Sequence, residues 1–214
     1  MKNKNTIYKE LKKDIMSGKL LPGSNLVERE ISDKYSISRT PIREILWQLI
    51  SDGLLEQEHS NGYRVRKISL EEIFNIFQCR EAIEGMATRL ACLKGNDKFF
   101  SKIDEIGKEI KKIDIEKNSW EGVLFGRKLH DLIITTANNP FLLQFYYKLR
   151  NITALTRNIT EKSVIIEKKS QESHLVIINS LKEKDEEKSE NYMREHLRIT
   201  CRLMATHFYP SLFE

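Results

Sequence analysis

Two sets of residues in this chain have types and spacings that could do chemistry. The first is a trio of histidines. Of five in 214 residues, His130, His174 and His196 fall on apolar stripes at helical spacing. The stripes are Gly126, His130, Ile133, Ile134 and Ala137; then His174, Ile177, Ile178 and Leu181; then Tyr192, Met193, His196, Ile199 and Leu203. Three imidazoles brought from three helices into one core could hold Zn²⁺ or Ni²⁺, with positions left open for water or a ligand carboxylate. The alternative is packed or hydrogen-bonded core histidines, the ordinary fate of a lone one. His59 and His207 sit on no such stripe. The second set is Ser38-Arg39-Thr40 with Arg43. Arg39 and Arg43 are four apart and project from neighbouring points of one helix face. Arginine suits paired hydrogen bonds to guanine O6 and N7, and the short hydroxyls suit phosphates or base edges. Arg29 lies on the preceding segment, placed to reach a DNA backbone. The alternative is that these arginines are solvated surface side chains.

The elements that must position these residues follow from apolar period and punctuation. Ile7, Leu11 and Ile15 give a helix closed by Gly18. Leu21–Ser24 is a turn, and Leu26–Tyr35 is a short helix. Ser36–Arg39 turns again. Thr40 caps the next helix, with Pro41 at its first position, where a missing amide costs nothing. Ile42, Ile45, Leu46 and Leu49 form its buried face, and Gly53 closes it as a left-handed cap. Leu54–Glu58 and Tyr63–Arg66 read as short strands around His59–Gly62, with Asn61-Gly62 as the hairpin signal. Gly62 at that tip allows close approach to DNA because it carries no side chain. Three helices and a hairpin make the winged helix-turn-helix plan, over residues 1–68. Lys67-Ile68 is the linker. Ser69–Glu72 is a capping box that opens a run of helices over about 70–94, 97–113, 119–137, 140–158, 164–183 and 185–208. Residues 69–214 are therefore read as an all-helical bundle, and the fold class as mostly α with one small β-hairpin wing.

Composition narrows the partners. Hydrophobic residues are 40% and charged residues 31%, as in an ordered, helix-rich protein. The net charge of +5 is uneven: residues 1–68 carry +4 and the remainder +1, so the basic excess lies with the DNA-reading residues. No apolar run of about 18 residues is present, and the N-terminus leads into an amphipathic segment, so neither a membrane span nor a signal core is expected. A cytoplasmic location follows as an expectation. Cys79, Cys92 and Cys201 are scattered, with no Cys-x-x-Cys pair. Neither a disulfide framework nor a thiolate zinc site is supported.

Ile7 through Ile31, followed by Ser38-Arg-Thr-Pro-Ile-Arg-Glu44, Gly53-Leu-Leu-Glu56 and Gly62-Tyr-Arg-Val65, resembles the N-terminal domain of GntR-family bacterial transcription regulators. Arg80-Glu-Ala-Ile-Glu84, Leu129-His130, Ala137-Asn-Asn-Pro140, Ser173-His174 and Met193-Arg-Glu-His196 make the remainder similar to the FCD ligand-binding domain of the FadR subgroup. The resemblance implies a homodimer on a short palindromic operator of double-stranded DNA, contacted through Arg29, Ser38, Arg39, Thr40, Arg43 and Gly62. It also implies a metal site. Many FCD domains resemble this arrangement with three histidines and an aspartate one helical turn before the first. Here that position is Gly126, and Asp131, about 100° away around the helix, is a poor substitute. Arg80 matches the family's arginine facing the ligand cavity. A carboxylate effector would supply the anion that a buried arginine needs, and an internal salt bridge to Glu84 is the alternative. Arg150 and Arg157 are weaker candidates of the same kind. The expectation is a repressor responsive to a small organic acid. A DNA-binding protein with a vestigial pocket, and more remotely a three-histidine metalloenzyme, stand as alternatives.

Overall fold

The computed structural model describes residues 3–58, 62–155 and 163–208. Contacts group Met1–Ser69 with Arg150–Asn158 as one compact unit, and Leu70–Leu149 with Ile159–Glu214 as a second.

In the first unit, α1 (Lys4–Met16) begins where the Asn3 side chain accepts from the Thr6 amide at 2.8 Å. Such a cap satisfies one of the amides that a helix start leaves unpaired. Ile7, Leu11 and Ile15 are all buried, as their spacing predicts. Then follow β1 (Asn25–Leu26), α2 (Glu28–Tyr35), α3 (Arg39–Ser51), β2 (Leu55–Gln57) and β3 (Tyr63–Val65). Ile42, Ile45, Leu46 and Leu49 of α3 are fully buried and pack with α1, Leu54, Tyr63 and Val65. Each such side chain contributes about 1.5–3 kcal/mol by leaving water. That apolar face fixes which side of α3 is turned outward.

Three details differ from the sequence reading. Leu26 is not in a helix: Asn25 and Leu26 pair antiparallel with Arg64 and Tyr63 of β3. The sheet has three strands in the order β1-β3-β2, and the wing strand β3 lies in its centre. The cap of α3 is Ser38 rather than Thr40, so Pro41 sits at the third helical position. All the first-turn amides lack intrahelical partners, so proline is tolerated there as well as at the first position. The α2–α3 turn is closed by Ser36 in the left-handed region, φ 52°. Gly53 is at φ +76°, as the left-handed cap reading requires. The hairpin residues His59–Asn61 lie outside the described residues, as does Arg157.

The second unit is helical throughout its described residues: α4 (Leu70–Lys94), α5 (Asp97–Lys112), α6 (Ile115–Thr136), α7 (Pro140–Ala154, whose last residues belong to the first unit), α8 (Val164–Lys182) and α9 (Glu186–Phe208). Helix α6 starts earlier than its apolar period predicts, because a short turn from Ile115 joins it across a break at Asn118 (φ −137°, ψ 51°). Helix α4 packs chiefly on α9, and α8 lies against α5, α6 and α9. Ile103, Leu129, Ile133, Ile177, Leu181 and Met193 are buried between them. No helix among the described residues is long and apolar enough to cross a membrane.

Candidate functional site: a DNA-reading face and a histidine centre

The buried face of α3 leaves Arg39, Arg43 and Trp47, spaced by four, as one exposed stripe. Ser38 and Thr40 are exposed at its start. With Val27, Glu28 and Arg29 of the β1–α2 segment, and Gln57 and Tyr63 of the sheet, the stripe lines an open concavity of about 510 Å³. Arg29 is exposed and lies 3.9 Å from Asp33. Arg43 is engaged more closely. Its Nε and Nη2 each donate to a different oxygen of Glu28, both at 3.0 Å, and the Tyr63 hydroxyl donates to the same carboxylate at 3.1 Å. The Arg43 hydrogen bond, outweighing partial burial, holds the Glu28 carboxyl below its usual range. At Gly62 an added Cβ would meet only the Glu58 carboxylate at 3.8 Å, an ordinary contact, so the fold itself does not demand glycine there. The structure thus brings Arg29, Arg39 and Arg43 to one concavity, with Ser38 and Thr40 exposed at the start of α3. Glu28, Trp47 and Tyr63 belong to the same face and were not singled out from sequence. The signal for Trp47 was available, since it continues the four-residue spacing of the arginines.

In the second unit His130 (α6), His174 (α8) and His196 (α9) do converge. Each is 5–7% exposed, and one nitrogen from each lies within 4.8 Å of the others. The Nε2 atoms of His130 and His174 are 3.2 Å apart. Among the described residues this is the one cluster of three or more His, Cys, Asp or Glu with metal-ligand geometry. Burial, and then the charge of neighbouring groups, pushes both His174 and His196 well below the ordinary imidazole range, so both rings are neutral near pH 7. Neutral imidazole is the form that binds metal.

The outer nitrogens of two rings are tied from behind. His130 Nδ1 is 2.5 Å from Glu84 Oε2, and His196 Nδ1 is 2.7 Å from the Ser173 hydroxyl. Partners of this kind fix ring orientation and tautomer in metal sites. Glu84 is itself buried and accepts from Arg80 Nε at 2.6 Å. Burial opposes ionisation of Glu84, but the charges of Arg80 and His130 with their hydrogen bonds prevail and hold its carboxyl down to about 2. The anion beside Arg80 is therefore Glu84, the internal pairing that the i, i+4 spacing allowed. The Arg80 guanidinium also lies over the Phe77 ring.

At Gly126 a Cβ would stand 2.5 Å from Cε1 of His174. The His174 ring fills the space that a side chain there would need. Asp131 does not take the place of a carboxylate ligand, since it accepts from the Tyr146 hydroxyl at 2.9 Å. Glu195 lies half-exposed, 3.5 Å from Arg198. No further acid or base among the described residues accompanies the three rings as a ligand. The donor set offers a divalent ion three imidazole nitrogens, with the nearest carboxylate, Glu84, one hydrogen bond behind His130.

A winged helix-turn-helix head joined in one chain to an all-helical unit with a histidine-lined core is the plan of a DNA-binding regulator. Residues 3–65 match the family described as bacterial regulatory proteins, gntR family, and residues 75–199 match the FCD domain. The chain belongs to the GntR family of bacterial regulatory proteins and carries an FCD domain. It is 27% identical over 198 residues to the HTH-type transcriptional repressor GlaR of Escherichia coli K12, covering 89% of this chain and 90% of that one. To the HTH-type transcriptional repressor RspR of the same strain it is 26% identical over 194 residues, covering 90% and 84%. Among solved structures it resembles E. coli McbR/YncC, with a TM-score of 0.77 at 19% identity over 97% of this chain and 100% of that one, a likeness of fold. The chain is a transcription regulator and not an enzyme.

Proposed function

We propose that this regulator is a cytoplasmic repressor that binds a short palindromic operator as a homodimer and responds to a small organic acid. Residues 1–68 do the DNA reading, and residues 69–214 do the sensing and the pairing of subunits. Arg39 and Arg43 read guanine edges, Ser38 and Thr40 meet phosphates or base edges, and Arg29 and the Gly62 tip meet the backbone. His130, His174 and His196 would hold one Zn²⁺ or Ni²⁺, which when bound would supply a positive charge for the effector's carboxylate. Glu84 orients His130, Ser173 orients His196, and the apolar helices exclude bulk water. The effector's carboxylate is assigned to this centre rather than to Arg80, whose charge Glu84 already meets. The linker at Lys67–Leu70 carries the response, which requires the effector to bind the two arrangements of the DNA-reading heads with different affinity.

The observation that carries the sensing half is the convergence of three buried imidazoles, two of them braced from behind. Metal content, measured by elemental analysis on protein purified without chelator or histidine tag, tests it. About one Zn or Ni per chain is expected, lost in His174→Ala. No metal after reconstitution would sink it.

Gly126 favours a second reading, a regulator whose pocket no longer takes a ligand. It differs in one observable: no small carboxylate would change operator affinity.

A further inference from the structure

The Arg43–Glu28 pair has a geometric consequence for DNA reading. Glu28 takes Nε and Nη2, one whole edge of the Arg43 guanidinium. What remains is the terminal edge, where Nη1 and the second hydrogen of Nη2 present two parallel donors. Two parallel donors are what guanine O6 and N7 accept. The carboxylate is in turn fixed by the Tyr63 hydroxyl from β3. The bonds therefore join α3, α2 and the wing sheet at one carboxylate. Glu28 is only 17% exposed at its side chain while Arg43 is 61% exposed, so the anchor is the part held inside and the fork is the part held out.

A carboxylate on a DNA-facing surface repels phosphates, so Glu28 is a cost to non-specific binding. We infer that Glu28 is a positioning residue that sets the Arg43 guanidinium edge-on to a guanine, with Tyr63 bracing it. The gain is selectivity: an arginine held in one orientation discriminates among bases, whereas a free one settles equally well on any phosphate. This inference rests on the assignment of the α3 stripe to DNA.

The test uses the full-length chain. Duplexes are selected from a randomised pool with the unaltered protein. The preferred duplex, its single-guanine replacements and an unrelated duplex are then titrated against Arg43→Ala, Glu28→Ala and Glu28→Gln. One guanine should lose its advantage entirely in Arg43→Ala. At that same position Glu28→Ala should lower the preference about tenfold, the scale of one bidentate base contact. Affinity of Glu28→Ala for the unrelated duplex should hold or rise, because a negative charge has left the surface. Glu28→Gln keeps an oxygen acceptor and should fall between the two. A merely structural role would weaken every duplex together, and that result would overturn the inference. So would a full guanine preference in Glu28→Ala, or one that survives Arg43→Ala. Should Glu28→Ala fail to fold by its thermal midpoint, Glu28→Gln decides by the same measure. Enrichment of no duplex at all would overturn the reading face itself along with this inference.

Discussion

The two units solve a similar problem in opposite surroundings. On the candidate reading face, Glu28 holds one edge of a cation, Arg43, whose remaining donors stay in water. In the helical unit, Glu84 holds Arg80 and His130 almost entirely away from water. A pair at the surface is screened, and its net worth is about 0–1 kcal/mol, so its use is orientation. A buried group of charges is costly to assemble and costly to break, so its use is to fix one arrangement of the core.

The comparison breaks most visibly at Glu84. Replacing it with alanine leaves Arg80 and His130 without their anion in the core, and a stability loss of about 3–5 kcal/mol is expected by urea unfolding. A loss below about 1 kcal/mol would put Glu84 in the same class as a surface pair.

Acid should act on the same unit through two sets of groups. His174 and His196 titrate lower when folded than when unfolded, so below the ordinary imidazole range the unfolded chain holds more protons and stability is lost as pH falls. Glu84, held at about 2 against an ordinary 4.5, contributes stability that is full above 4.5 and lost as pH falls toward 2. In metal-free protein the thermal midpoint should therefore fall as pH drops below 6.5, with Glu84 adding to the loss below 4.5. A flat profile from pH 7 to 5 in that form would mean the two rings are not buried neutral.

Arg39→Ala should cut specific operator affinity about 10- to 100-fold while leaving thermal stability unchanged, as measured by fluorescence anisotropy and calorimetry. Unchanged operator binding would remove Arg39 from the reading face. The smallest effect is expected at Glu44→Gln, which breaks a solvent-exposed pair with Lys4 and should change stability by less than about 0.5 kcal/mol.

What sequence could tell about these regions differed with the range of the interaction. Ile7, Leu11 and Ile15, or Ile42 through Leu49, declare their helices because a single face repeats along a continuous stretch. Arg80 and Glu84 are one turn apart on one helix, so their pairing was foreseeable. Strand β1 was not: two residues are too few to show a period, and Leu26 fits the helical spacing of its neighbours equally well. The true start of α3 was hidden because proline is acceptable anywhere in a first turn. Convergence of the three histidines was legible from stripes and family likeness. Their braces were less so, since Glu84 lies 46 positions from His130, and Ser173 lies 23 from His196. The Glu28–Arg43 pair, 15 positions apart, exists only once the α2–α3 turn is folded.

The central place of β3 has a practical corollary for engineering. Tyr63 is held opposite Leu26 on one side and opposite Gln57 on the other. Its register is thus specified twice, and once by a strand that takes no part in the hairpin. Substitutions in β2 that weaken its pairing should accordingly leave Tyr63, and through it the brace on Glu28 and Arg43, in place.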